Sequence, residues 1–212
     1  MQFKNVLIFG DSYSTFAGYI PDGFATYYSK SGSGETDVTD VTETWWHLLM
    51  DETDSRLVLN NSWSGSTICY TGYNGDCSET SSFICRLNRL IDAGFFKENA
   101  IDTVFVFGGT NDSWANAPIG QLQYADWEKQ DLFSVLPAVC CFMDKLKQTL
   151  PDTEIVCIIN TGLKEEIAEG FKAACAHYGI KQVVLHDIDK RGGHPTKRGM
   201  SEIKAQILMQ LG

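Results

Sequence analysis

A serine at the end of a short apolar run is the first residue in this chain whose position favours chemistry. Ser12 lies in Gly10-Asp11-Ser12, directly after Asn5–Gly10, a run that predicts a buried strand ended by glycine. A serine there can present its hydroxyl at the edge of a sheet, where nucleophilic attack also needs a base and oxyanion donors. The tripeptide is an ordinary turn sequence as well, so its interpretation depends on its partners.

The base must come from the four histidines of the chain. His194 lies in Gly192-Gly193-His194-Pro195, where the two glycines let the backbone bend and the proline opens a predicted helix. The other three lie in predicted helices or follow a strand without a supporting motif: His47, His177 and His186. We therefore expect His194 to act as general base toward Ser12.

Two loops contain groups that can stabilise an oxyanion. Gly65 lies in the loop 61–66 after the second predicted strand, where a glycine can bring its backbone N–H close to a reacting carbonyl. Asn111 lies in the loop 108–112 after the third predicted strand, and its side-chain amide can donate as well. The alternative interpretation is that Asn111 only caps its loop.

The elements that must position these residues alternate between strands and helices. Strands are predicted at Asn5–Gly10, Arg56–Asn60, Ile101–Phe107, Glu154–Asn160 and Lys181–Leu185. Helices are predicted at Thr42–Asp51, Glu79–Ala93, Phe133–Leu150, Lys164–Tyr178 and from Pro195 to about Leu211. Because the strands are continuously apolar, they predict a three-layer α/β/α fold with a five-stranded parallel sheet in flavodoxin-like order. In such sheets ligands bind at the carboxyl ends of the strands, which is where the candidate residues lie.

Composition and charge exclude several other classes of protein. With 17 Lys and Arg against 27 Asp and Glu, the formal charge of −10 disfavours nucleic acid as a partner. No apolar run approaches the roughly 20 residues of a membrane-spanning helix. The N-terminus does not match a signal peptide, so we expect no membrane association and a cytoplasmic location.

The length of 212 residues predicts one domain over residues 1–212. The spacing of the seven cysteines predicts buried reduced thiols and no metal site.

Taken together, the four motifs resemble the four blocks of the SGNH (GDSL-like) hydrolase family: GDSYS, NSWSGS, GTND and HPTKRGM. The blocks occur in the family's order and span nearly the whole chain. The resemblance implies that Ser12 is the nucleophile and His194 the base. It also implies an oxyanion hole made of the backbone N–H groups of Ser12 and Gly65 with the side chain of Asn111. The expected activity is a serine esterase that forms an acyl-enzyme and needs no cofactor.

One departure from the family pattern concerns the third member of the catalytic set. The family places an aspartate three residues before the histidine, and this chain has Arg191 there. The nearest upstream acids are Asp189 and Asp187. The Gly192-Gly193 bend can let Asp189 fold back to His194 Nδ1, which we prefer slightly. The alternative is that a backbone carbonyl of this loop orients the imidazole and leaves a Ser-His dyad.

Aromatic side chains near the predicted site suggest a substrate class. We expect Trp63, Trp114 and Tyr13 to contact substrate, because aromatic rings can stack on a sugar or hold an acyl chain, although they can equally serve packing. The aromatic, Gly/Ser-rich loops favour a short acyl group on a carbohydrate over another small-molecule ester.

Two alternative functions share the predicted fold: a catalytically silent carbohydrate-binding protein and an acyltransferase. A flavin or nucleotide binder is disfavoured, because neither GxxxxGK[ST] nor GxGxxG occurs. The sequence does not indicate an oligomeric state.

Overall fold

The computed structural model describes residues 2–33 and 35–212, and its centre is a parallel sheet of five strands. The strands are β1 (Asn5–Gly10), β2 (Arg56–Ser62), β3 (Thr103–Phe107), β4 (Glu154–Ile159) and β5 (Lys181–Val184). Their order across the sheet is β2-β1-β3-β4-β5, and every neighbouring pair is parallel. This arrangement confirms the predicted α/β fold class and strand order.

Seven α-helices connect or flank these strands in the described part of the chain. They are α1 (Trp45–Glu52), α2 (Phe83–Asp92), α3 (Phe95–Glu98), α4 (Thr110–Trp114), α5 (Val135–Thr149), α6 (Glu165–Tyr178) and α7 (Lys197–Leu211). None of the helices described is long and apolar enough to cross a membrane.

Two apolar cores lie on the two faces of the sheet, which explains why the strands are apolar at successive positions. In β1, Leu7 and Phe9 belong to the core that contains residues of α2, α5 and α6. Val6 and Ile8 point the other way, into the core that contains residues of α1 and α7. Successive side chains of a strand alternate between faces, so burial on both faces needs an unbroken apolar run.

N-capping side chains explain why two helices begin later in the sequence than predicted. Helix α2 begins at Phe83 and not Glu79, because the Ser82 hydroxyl accepts the backbone N–H of Cys85 at 3.1 Å. Helix α7 begins after Thr196, whose hydroxyl accepts from the backbone N–H of Gly199 at 3.2 Å. The residues just before this cap form an antiparallel hairpin, in which Lys190–Arg191 pair with His194–Pro195.

Candidate active site

The candidate nucleophile lies in a tight turn at the carboxyl end of β1. Ser12 begins a 3₁₀ turn, Ser12–Ser14, and the carboxylate of Asp11 accepts the backbone N–H of Tyr13 at 3.0 Å. The chain reverses so closely here that a Cβ on Gly10 would lie 2.4 Å from Ser62 Oγ and 2.6 Å from the Ser14 side chain. A glycine is therefore required before the turn that exposes the Ser12 hydroxyl to its base.

The structure brings His194 to Ser12 across 182 residues of sequence. His194 Nε2 lies 2.9 Å from Ser12 Oγ, which is hydrogen-bond distance for a nucleophile and its base. The histidine is held by the hairpin described above, whose turn residues Gly192 and Gly193 have φ values of 53° and 79°. Two successive positive φ values are typical of a tight hairpin turn that other residues adopt at a cost.

A backbone carbonyl, and not a carboxylate, faces the second ring nitrogen of His194. The carbonyl oxygen of Gly192 lies 3.2 Å from His194 Nδ1. With Nδ1 donating to this carbonyl, Nε2 is left free to accept the proton of Ser12. The structure therefore has the geometry of the alternative interpretation, a Ser-His dyad oriented by its own loop.

The expected role of Asp189 does not agree with this geometry, and the register of the hairpin gives the reason. Because Arg191 pairs with His194 and Lys190 with Pro195, Asp189 comes opposite Thr196. Its carboxylate accepts the Thr196 hydroxyl, and its backbone carbonyl accepts the Thr196 N–H at 3.1 Å. The other upstream acid, Asp187, lies on the surface beside His186.

The two loops with candidate oxyanion donors are joined to each other and to β1. Asn111, at the start of α4, donates from Nδ2 to the carbonyl of Ser66 at 3.0 Å, next to Gly65. Its Oδ1 accepts from the Tyr73 hydroxyl at 3.0 Å, which fixes the orientation of the amide. An amide nitrogen has two protons, so the contact with Ser66 uses only one of those on Nδ2. The Trp63 N–H donates to Gly10 O at 3.1 Å and ties this loop to the strand before Ser12.

Two buried charged residues that the sequence analysis missed support these loops. The Asp112 carboxylate accepts the backbone N–H groups of Ile68 and Cys69 at 3.0–3.1 Å. The Arg86 guanidinium donates to the Gly10 carbonyl at 3.2 Å, to Ser66 Oγ at 3.1 Å, and to Asn61. Arg86 therefore links the strand before the nucleophile to the loop that contains Gly65. The sequence contained one signal for this role, because Arg86 precedes Leu87 on the apolar side of a predicted helix, where a charged side chain must be buried with partners.

Four aromatic rings surround the imidazole of His194. Tyr27 stacks on it with ring centroids 3.5 Å apart and an interplanar angle of 8°, whereas Trp114 meets it edge-on at 5.7 Å. The remaining two, Tyr13 and Tyr28, have centroids 5.4 and 6.5 Å away. Sequence reasoning missed Tyr27, because no motif marks it.

The three aromatic residues expected to contact substrate have different environments. Trp114 is 45% exposed beside His194, so it is available to a ligand. Trp63 is partly buried and stacks on Phe24 with centroids 4.3 Å apart. Tyr13 is completely buried, and its hydroxyl donates to the Gly193 carbonyl. Tyr13 thus supports the hairpin that holds His194 and does not face a ligand.

Burial controls the charge of the groups in this site. Loss of solvent lowers the pKa of His194, the Gly192 carbonyl raises it, and the positive charge of Lys190 lowers it. Burial also lowers the pKa of Lys190 to about 8; its Nζ donates to Thr161 Oγ1 at 2.7 Å. The carboxyl of Asp11 is completely buried, which raises its pKa to about 7. A lowered pKa keeps the imidazole neutral near pH 7, as a general base requires.

A cavity adjoins the candidate oxyanion donors. It has a volume of about 260 Å³ and lies between Gly65 and a small hairpin, in which Thr71–Gly72 pair with Gly75–Asp76. Its lining combines aromatic and polar side chains, among them Trp63, Tyr73, Asn74, Thr80 and Ser81. Within residues 2–33 and 35–212, no three His, Cys, Asp or Glu side chains form a group that could hold a metal ion.

Comparisons with known proteins agree on one family. The family model for GDSL-like lipases and acylhydrolases matches residues 4–211. A protein from Bacteroides ovatus described as a GDSL-like lipase has 45% sequence identity and a TM-score of 0.92, with 100% of this chain and 99% of that chain covered. A second such protein, from Bacteroides uniformis, has 46% identity and a TM-score of 0.89, with 97% and 94% covered. No curated protein matches the chain.

A more distant likeness extends to a carbohydrate-active enzyme. An acetyl xylan esterase from the rumen bacterium Butyrivibrio proteoclasticus has 16% identity and a TM-score of 0.59, with 100% of this chain and 64% of that chain covered. At this identity the comparison establishes a common fold and nothing about substrate.

Proposed function

The chain belongs to the GDSL-like lipase/acylhydrolase family and is an ester hydrolase of the SGNH type, and on this premise we propose that it acts through a Ser12–His194 dyad. The single observation that carries the proposal is the 2.9 Å contact between Ser12 Oγ and His194 Nε2. The Gly192 carbonyl accepts from His194 Nδ1 and orients the imidazole, which is the role of an aspartate in the family. Asp189, whose carboxylate accepts from Thr196, is not part of this catalytic set.

The first half-reaction acylates the serine. Ser12 Oγ attacks the ester carbonyl carbon while its proton passes to His194 Nε2, which makes the imidazole a cation. The negative charge that develops on the carbonyl oxygen is stabilised by the N–H groups of Ser12, Gly65 and Asn111 Nδ2. When the tetrahedral intermediate collapses, the C–O bond to the alcohol breaks and His194 returns the proton to the leaving oxygen.

The second half-reaction uses the same groups on water. His194 takes a proton from a water molecule, which attacks the acyl carbon, and the same donors stabilise the oxyanion. Collapse breaks the bond to Ser12 Oγ, which recovers its proton from His194, and the free acid leaves. In these steps His194 moves the protons, the N–H donors stabilise the oxyanion, and no atom changes oxidation state, so the scheme uses no metal or redox group.

As substrate we propose a carbohydrate that bears a short acyl group. The support comes from the cavity beside Gly65, which combines the rings of Trp63 and Tyr73 with hydroxyl and amide groups. Aromatic faces and polar groups together suit a sugar, whereas a long acyl chain needs an extended apolar groove.

A substrate panel with Ser12→Ala tests this proposal. We expect hydrolysis of acetylated sugars and p-nitrophenyl acetate, and a fall in kcat of at least about 10³-fold in Ser12→Ala and in His194→Ala. A fluorophosphonate should label the wild type and not Ser12→Ala. Full activity in Ser12→Ala would refute the mechanism, and activity confined to long-chain esters would refute the substrate class. A serine that resists the fluorophosphonate would favour a silent carbohydrate-binding protein.

A further inference from the structure

The ring of Tyr27 lies flat against the imidazole of His194, the proposed general base. Its centroid is 3.5 Å from that of His194, and the planes are 8° apart. The turn that carries the nucleophile holds Tyr27 in place, because the Tyr27 N–H donates to Thr15 Oγ1 at 2.9 Å and that hydroxyl donates to the Ser12 carbonyl at 3.0 Å. Nucleophile, base and ring are thus fixed to one another.

None of the other three rings around His194 lies parallel to its imidazole. Trp114 and Tyr28 meet the imidazole at 70° and 79°, so they present edges, and Tyr13 is tilted at 48°. Two charged side chains also act on the imidazole: Lys190 lowers the pKa of His194, and Glu35 raises it. The Gly192 carbonyl accepts from Nδ1 as a neutral dipole.

The chemistry creates a charge that this neutral acceptor stabilises poorly. When the proton of Ser12 Oγ moves to His194 Nε2, the imidazole becomes a cation, and a family aspartate would face that cation with a full negative charge. Here the residue three places before His194 is Arg191. The face of an aromatic ring carries partial negative charge and attracts a cation placed over it.

We propose that Tyr27 is a positioning residue that fixes the plane of the His194 imidazole and stabilises its protonated form during acyl transfer. The inference rests on the proposed function, since it takes His194 as the base. Tyr27 exchanges no proton and forms no bond: the proton moves only between Ser12, His194 and the departing alcohol or attacking water. The ring of Tyr27, and not its hydroxyl, is the active feature.

Two variants of Tyr27 separate the ring from the hydroxyl. Tyr27→Phe keeps the aromatic face, and we expect its kcat to stay within about twofold of the wild type. Tyr27→Leu keeps apolar bulk but removes the face, and we expect kcat to fall about five- to tenfold with KM unchanged. The pKa of His194, followed by NMR of the ring protons in the free protein, should fall by about 0.7 to 1 unit in Tyr27→Leu and not in Tyr27→Phe.

Tyr19→Leu is the matched control, because Tyr19 is an exposed tyrosine of the same loop that contacts Phe16 and Trp46. We expect it to change neither kcat nor the pKa of His194. If Tyr27→Leu does not fold, as judged by circular dichroism, Tyr27→Met replaces it. An unchanged pKa of His194 in the folded variant would overturn the inference, as would an equal loss of kcat in Tyr27→Phe.

The NMR titration keeps this inference separate from the proposed function. It needs no substrate, so it reports the effect of Tyr27 on His194 even if the wild type hydrolyses no ester of the panel. A pKa that depends on the ring of Tyr27 together with an inactive wild type would refute the proposed function alone. An active wild type whose His194 titrates identically in all Tyr27 variants would refute the inference alone.

Discussion

The acceptor at His194 Nδ1 distinguishes this site at the level of single residues. A carbonyl fixes the tautomer of the imidazole as well as a carboxylate does, but it adds no net charge. With no carboxylate at Nδ1 to favour the cation, burial and Lys190 lower the pKa of His194. The base is therefore neutral over a wider range of pH, and the stabilisation of its cation must come from other contacts.

Asp189→Asn tests whether the carboxylate upstream of His194 takes part in catalysis. We expect kcat to stay within about twofold of the wild type, because the Asp189 side chain accepts from Thr196 and an asparagine oxygen can do the same. The measurement is kcat and KM for p-nitrophenyl acetate, with His194→Ala as the positive control for loss. A fall in kcat of about 10²-fold or more would restore Asp189 to the catalytic set.

At the level of elements, the buried guanidinium of helix α2 joins the ends of two strands. Arg86 is 1% exposed and donates to Gly10 at the end of β1, to Asn61 in β2 and to the loop beyond it. Helix α2 is thus more than a cover for the sheet, because it sets the distance between the nucleophile turn and the Gly65 loop.

Arg86→Met should lower the free energy of unfolding by about 3 kcal/mol or more, because it leaves several buried acceptors without a donor at about 1–3 kcal/mol each. The matched control is Arg89→Met in the same helix, whose side chain donates to Glu79 at the surface. We expect about 0.5 kcal/mol or less for that change. Urea unfolding of both variants measures the difference, and equal losses would contradict the assigned role of Arg86.

The sequence predicts the elements that are specified by their own residues, and it misses the element that depends on contacts with other parts of the chain. The five strands are predictable, because each contains an apolar run. The runs in β1, β3 and β4 are long, whereas the edge strands β2 and β5 contain only Leu57–Leu59 and Val183–Val184. The hairpin of Lys190–Arg191 with His194–Pro195 is missed, since it has only two residues in each arm and depends on its contacts with Thr196 and Tyr13.

The residues of the site likewise divide into those that a local motif identifies and those that only tertiary packing brings to the site. Ser12, Gly65, Asn111 and His194 lie in recognisable motifs after strands. Tyr27 lies in a loop with no motif, and only the folded chain places it on His194. A pattern of residue types therefore finds groups fixed by local backbone geometry, and it misses groups that reach the site through tertiary packing.

For the whole molecule, a buried carboxyl next to the nucleophile couples stability to pH. Burial raises the pKa of Asp11 to about 7 from an unfolded value near 3.8. Between these values the folded protein holds a proton that the unfolded chain has lost, so this group's contribution to stability falls as pH rises. Below the unfolded value both states are protonated and the contribution is fully present.

Asp11→Asn isolates that contribution, because asparagine also caps a turn and does not titrate. We expect the stability of the wild type relative to Asp11→Asn to decrease steadily from pH 4 to pH 7. Urea unfolding of the two proteins at several pH values gives this difference directly. A difference that does not change with pH would mean that Asp11 titrates normally in the folded state.

The contact between Ser12 and His194 also has a consequence for the order of events during synthesis. The two residues are 182 positions apart, so the nucleophile leaves the ribosome long before its base. A nascent chain that has formed β1 to β4 still lacks the hairpin that carries His194. Ester hydrolysis should therefore begin only after the hairpin that carries His194 has emerged and packed beside Ser12, and the onset of activity in a translation experiment would report that step.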